Sequence, residues 1–161
     1  MRAKLLCCIM YVFTILSSSI AQSVWEWRNP LPQGNNLCSI TYGNNLFIAV
    51  GYKGTILTSS DGVTWIERFS GTTYRLTSVT YGNNQFIAVG YEGTIITSPD
   101  GVTWTKRDSW TQRGLLSVTY GNNQFIAVGY YTILISTDGT TWTEGFSEKN
   151  AVFRSVTYGN D

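Results

Sequence analysis

The sequence predicts an all-β fold made of about three repeated four-stranded antiparallel units. Three observations carry this. Tyr42-Gly43-Asn44-Asn45 returns as Tyr81-Gly82-Asn83-Asn84, as Tyr120-Gly121-Asn122-Asn123 and in part as Tyr158-Gly159-Asn160, at spacings of 39, 39 and 38 residues. Residues 78–91 and 117–130 are identical, and residues 39–52 differ from them only at Ile40 and Leu46. The turn Ser-x-Asp-Gly-x-Thr-Trp occurs at residues 59–65, 98–104 and 136–142. A period near 40 residues with such identity is the signature of a repeat architecture. Four short antiparallel strands per period make the blade of a β-propeller, so the expected fold is a partial propeller with blades at about 37–69, 76–108 and 115–146.

The elements follow in order within one period. Ser78-Val79-Thr80-Tyr81 alternates and reads as a first strand, A. Gly82-Asn83-Asn84 is a turn of residue types that tolerate positive φ. Residues 86–90, Phe-Ile-Ala-Val-Gly, are apolar on both faces, as a strand B covered on both sides would be. Glu92-Gly93 turns the chain into strand C at residues 94–98, and Pro99-Asp100-Gly101 turns it into strand D at 103–106. No segment shows a 3.6-residue period with helix caps.

The amino end reads differently. Arg2 and Lys4 precede a twelve-residue apolar run at 5–16, followed by small residues up to Ala21. This is the tripartite pattern of a secretory signal peptide, cut before Gln22. The run is short for a membrane span, which takes ~20 apolar residues, and no other stretch is apolar enough. The expected location is therefore secreted, periplasmic or cell-surface. Residues 22–161 would form the repeat region, with nine basic against ten acidic residues.

Composition removes several functions. Charged residues are 13% and the whole chain is formally +1, which argues against a nucleic-acid binder. There is no histidine, which removes the commonest general base and histidine-ligated metal sites. Cys38 is the one cysteine left after signal cleavage and reads as a small hydrophobe in a strand. No cofactor, metal site or catalytic residue is expected.

The repeated turn resembles the Asp-box, or BNR repeat, of sialidase-type propellers, shortened by one residue between Asp and Trp. The whole repeat also resembles the photosystem II assembly and stability factor-like propellers. The resemblance implies that the box lies on the C-to-D turn and is structural. The residue types agree: Asp61, Asp100 and Asp138 can accept backbone N–H bonds within the turn. Trp65, Trp104 and Trp142 would plug the interface to the next blade. An identical carboxylate in every repeat does not suit a single active site.

Residues 24–28 read as a lone strand D, and 154–158 as a further strand A. Known propellers close with at least four blades. Either the sequence belongs to a longer gene product or the chain closes as a homo-oligomer.

In an up-and-down blade the A-to-B and C-to-D turns share one end, where all the invariant turns lie. The B-to-C turns and D-to-A connections share the other, where the repeats diverge. Divergent residues in a repeat are free to specialise, so that end is the expected binding face. It carries Tyr52, Lys53, Tyr74, Arg75, Tyr91, Glu92, Trp110, Arg113, Tyr130 and Tyr131. Aromatic residues beside arginine suit a protein segment or a glycan. A sialidase-like hydrolase would need an arginine cluster and a Tyr nucleophile with a carboxylate base. Arg28, Arg68, Arg75, Arg107, Arg113 and Arg154 are numerous enough. Arg68 and Arg107 occupy equivalent strand-D places and read as structural, and Tyr91 and Glu92, as neighbours along the chain, point apart. A purely structural repeat of a larger surface protein is the third reading.

Overall fold

The computed structural model of the protein describes residues 34–159. The expected signal segment and the lone strand at 24–28 lie outside these residues. The described chain forms three four-stranded antiparallel sheets, each in simple up-and-down order. The first holds β1 (Leu37–Gly43), β2 (Leu46–Gly51), β3 (Ile56–Ser59) and β4 (Ile66–Arg68). The second holds β5 (Leu76–Gly82), β6 (Gln85–Gly90), β7 (Ile95–Ser98) and β8 (Thr105–Arg107). The third holds β9 (Leu115–Gly121), β10 (Gln124–Gly129), β11 (Ile133–Ser136) and β12 (Thr143–Phe146). The only helical element among the described residues is one 3₁₀ turn at Tyr52–Gly54.

Local chemistry sets the hairpins. Asn44 and Asn45 have φ of 46° and 58°, and the Asn pairs of the other two blades match them. Two successive positive φ values make a type I′ turn, whose twist suits a two-residue hairpin. Asparagine bears this conformation better than most residues. The C-to-D turns close on the box aspartates. Asp100 Oδ1 accepts N–H bonds from Val102 (2.8 Å) and Thr103 (2.9 Å). It also accepts from the Ser98 hydroxyl at 3.0 Å, while Ser98 Oγ accepts the Gly101 N–H at 2.8 Å. Asp61 and Asp138 repeat the arrangement. Strand D is tied by its arginine: Arg68 Nε donates to Thr58 Oγ1 at 3.0 Å and Arg107 Nε to Thr97 Oγ1 at 2.9 Å. The third blade has Gly145 and Ile135 in those places, replacing the polar pair together.

The sheets stack face to face, inner strand beside inner strand. Ser39 Oγ accepts the Val79 N–H (3.2 Å), Ser78 Oγ the Val118 N–H (3.2 Å) and Ser117 Oγ the Val156 N–H (3.3 Å). A Cβ at Gly43, Gly82 or Gly121 would overlap the ring of Tyr81, Tyr120 or Tyr158. Each strand-A glycine is thus the seat for the next blade's tyrosine. The core lies between sheets: Ile48, Val50 and Ile56 meet Leu76, Val79, Phe86, Ala88 and Ile96. Ile87, Val89 and Ile95 meet Leu115, Val118, Phe125 and Leu134.

The tryptophans correct one expectation. Trp104 packs into the cluster between the first and second sheets, and Trp142 into that between the second and third. Each therefore plugs the interface to the preceding blade, not the next. The reason is that the C-to-D turn leans back: Gly101 sits against Leu46 and Ile48, and Gln85 Nε2 donates to Asp138 O at 2.7 Å.

Residues 153–159 form no ladder, but they repeat the inner strand's contacts. Val152 bridges Tyr130, the Phe153 N–H donates to Gly129 O at 3.0 Å, and Tyr158 covers Gly121.

Candidate functional site

The topology puts both invariant turns of each blade at one end and the B-to-C turns and D-to-A connections at the other. At the divergent end, backbone pairing welds each connection to the following blade. The Tyr52, Tyr91 and Tyr130 N–H groups donate to Asn36 O, Arg75 O and Gly114 O at 2.9–3.0 Å. Lys53, Glu92 and Tyr131 hold φ of 54°, 54° and 62° in the B-to-C turns. Gly54 and Gly93 follow two of them, with φ of 71° and 60°. A Cβ there would strike Thr72 O or Thr111 O, so the glycines let the connection pass close to the turn. The third blade lacks this glycine.

The predicted residues fall into three places. Tyr52, Arg75 and Tyr91 come together at the mouth of the inner strands. The Arg75 guanidinium lies 4.4 Å from the Tyr52 ring centroid and 5.7 Å from that of Tyr91, a stacked cation–π arrangement. Its Nε donates to Cys38 Sγ at 3.3 Å. One repeat on, Gly114 sits between Tyr91 and Tyr130 in place of the arginine, so the Tyr–Arg–Tyr stack occurs once among the described residues. Tyr74 and Glu92 line an outer cleft with Lys106, Arg107 and Asp108. Tyr91 and Glu92 thus serve different clefts, as neighbours along a chain would. Trp110 and Arg113 line a third cleft with Leu134 and Glu144. Arg113 Nη1 donates to Tyr131 O (2.8 Å) and Ser147 Oγ (3.1 Å) and lies 3.7 Å from Glu144 Oε1. Tyr130 and Tyr131 meet edge to face at 6.4 Å. Lys53 is exposed and lines none of these clefts.

The inner mouth also holds residues that were not expected at the binding face. An open cleft of about 670 Å³ is lined by Cys38, Thr77 and Leu116 of the three inner strands and by Arg154 at the equivalent place of the following segment, together with Tyr52, Arg75 and Tyr91. In β1, β5 and β9 the pairing skips Cys38, Thr77 and Leu116 as β-bulges. A bulge re-aims its extra residue, and here the re-aimed residues line the cleft. Cys38 is therefore not a plain core hydrophobe: it is half-buried and accepts from Arg75. The signal was present, since this is the variable place before the constant Ser of each inner strand. The cleft carries two guanidinium groups and no carboxylate among its lining residues. Arg154 is exposed and makes no hydrogen bond or ion pair among the described residues. No group of three or more His, Cys, Asp or Glu is placed to hold a metal among the described residues. No helix among them is long and apolar enough to cross a membrane.

No family model matches the chain, and no curated protein does. Solved structures do. YCF48 from Cyanidioschyzon merolae matches at 23% identity with a TM-score of 0.64, covering 75% of this chain and 43% of its own. YCF48 bound to D1 peptide matches at 20% identity with a TM-score of 0.65, covering 76% of this chain and 44% of its own. The fold is a β-propeller. Its three described sheets are blades, and the resemblance read from the Asp-box turns holds at the level of the fold. The chain spans less than half the length of these two propellers. The propeller's divergent end is where its blades differ from one another, and where the three clefts described above lie.

Proposed function

We propose that this chain is a secreted, non-catalytic propeller module that binds a protein segment at its divergent end. The observation that carries the reading is the inner-mouth cleft, with Arg75 held between two tyrosines and Arg154 beside it, without a partner among the described residues. Two cations without a lining carboxylate suit an extended segment bearing a carboxylate, either an acidic side chain or a free C-terminus. Prefixed arginine geometry lowers the ordering cost of such a contact. The similarity to a propeller solved with a bound peptide supports the same reading. The separation of Tyr91 from Glu92, and the use of Arg68 and Arg107 inside strand D, speak against a sialidase-like site.

The test is a titration of the secreted protein with a library of acidic, neutral and basic peptides. Acidic peptides should bind best, and more weakly as salt rises. Arg154→Ala should weaken binding at least tenfold without lowering the melting temperature. Asp100→Ala, at the opposite end, should lower stability by about 1 kcal/mol through lost turn bonds and leave affinity intact. Equal binding of all three peptide classes, or no effect of Arg154→Ala, would overturn the reading. Secretion is checked on the same sample: its first residue should be Gln22, and a start at Met1 would refute cleavage.

A further inference from the structure

Trp110 stands apart from the site proposed above. It is 81% exposed, with φ of 56°. A bulky residue in the left-handed region is a true outlier. The place needs this conformation in its own right: the equivalent residue of the preceding connection is Gly71, with φ of 73° and open space around it. One repeat thus uses glycine, which adopts the conformation freely, and the next accepts strain to put an indole there. The strain is held locally, because the Trp110 N–H donates to Asp108 Oδ1 at 2.8 Å. Strain maintained by its surroundings is a pointer to function.

Trp110 lines a cleft of about 440 Å³ together with Gln112, Arg113, Glu144 and the buried Leu134. This falls within the ~300–1,000 Å³ of small-ligand sites. Arg113 and Glu144 lie 3.7 Å apart, so the cleft is close to neutral, unlike the cationic inner mouth. Tyr131 O and Ser147 Oγ hold the guanidinium in place. An exposed indole sharing one cleft with a held guanidinium and a carboxylate fits one chemistry above others. The C–H face of a pyranose ring packs on an indole, and its hydroxyls bond to amide, guanidinium and carboxylate groups in the ring plane. An apolar protein hot spot would need a continuous hydrophobic surround, and here only Trp110 and Leu134 are apolar. We infer that the Trp110 cleft is a binding subsite for a neutral saccharide, separate from the peptide cleft.

The test uses the full secreted chain and short neutral oligomers: β-1,4-glucose, β-1,3-glucose, mannose and N-acetylglucosamine series, followed by calorimetry and indole fluorescence. At least one series should bind, with a change in fluorescence. Trp110→Gly restores the residue type of the equivalent place, so it should fold with an unchanged or higher melting temperature, yet lose at least tenfold in affinity. Trp110→Phe should retain most of the binding, and Glu144→Gln should weaken it several-fold. Arg154→Ala should leave sugar binding unchanged, so failure here and failure of the peptide reading remain distinct. Absence of binding to every series up to about 10 mM would overturn the inference. So would binding that Trp110→Gly leaves intact, binding of anionic sugars alone, or loss of peptide binding in Trp110→Gly without any sugar affinity, which would assign the indole to the protein surface.

Discussion

At the scale of single residues, the box aspartates show how a short polar side chain closes a turn. Each accepts two backbone N–H groups and a serine hydroxyl, all of which favour the ionised form. Asp138 gains a further bond from the Thr140 hydroxyl at 2.7 Å. The N–H bonds of Thr64 and Val63, then the Ser59 hydroxyl, hold Asp61 at about 2, below the usual carboxylate value of 3.8. Asp100 and Asp138 are lowered for the same reason. A depressed folded-state value adds stability above the unfolded value and loses it as pH falls through the folded one. The melting temperature should therefore be flat above about pH 4 and fall between about pH 4 and 2. In a variant with all three aspartates changed to asparagine, that fall should be shallower. An unchanged acid profile would show that other carboxylates govern it.

At the scale of elements, the tryptophan before strand D ties the second and third blades each to the one before it. Trp142 is fully buried, 6.5 Å from the Phe125 ring, and its Nε1 donates to Gly139 O at 3.1 Å. Trp65 holds the equivalent place in the first blade, 6.5 Å from Phe47, but is only half-buried. Truncating a buried tryptophan costs about 3–5 kcal/mol, and much less where the ring is already partly in water. Trp142→Ala should therefore lower the denaturation midpoint far more than Trp65→Ala. Equal losses would contradict the assignment of this ring to the interface with the preceding blade.

At the scale of the whole molecule, the blades are joined by one device used repeatedly, a tyrosine seated on the preceding blade's glycine. Such an array is stabilised by nearest-neighbour interfaces. A methyl at Gly82 would displace Tyr120, and overpacking of this kind costs about 1–3 kcal/mol. Gly82→Ala should lower the melting temperature and speed amide exchange in β5 and β9. Gly159→Ala, with open space around it, should change neither. If both variants melted alike, the seat would not be what joins the blades.

The repeat, the four strands of each blade, the Asn-Asn hairpins and the C-to-D turns could all be read from the residues, because they follow from turn chemistry and from contacts close along the chain. The end at which the repeats diverge was legible too, since an up-and-down order assigns each turn to an end. Which divergent residues meet depends on how the blades pack. Tyr52, Arg75 and Tyr91 lie up to 39 residues apart in sequence and meet because consecutive inner strands lie side by side. The bulges at Cys38, Thr77 and Leu116 exist only in the strand pairing, so the cleft they line with Arg154 could not be read from residue types. The backward lean of the C-to-D turn was equally hidden, and it sends Trp104 and Trp142 to the preceding blade. Local preference sets the form of a strand or turn; which surfaces it covers depends on how the sheets stack.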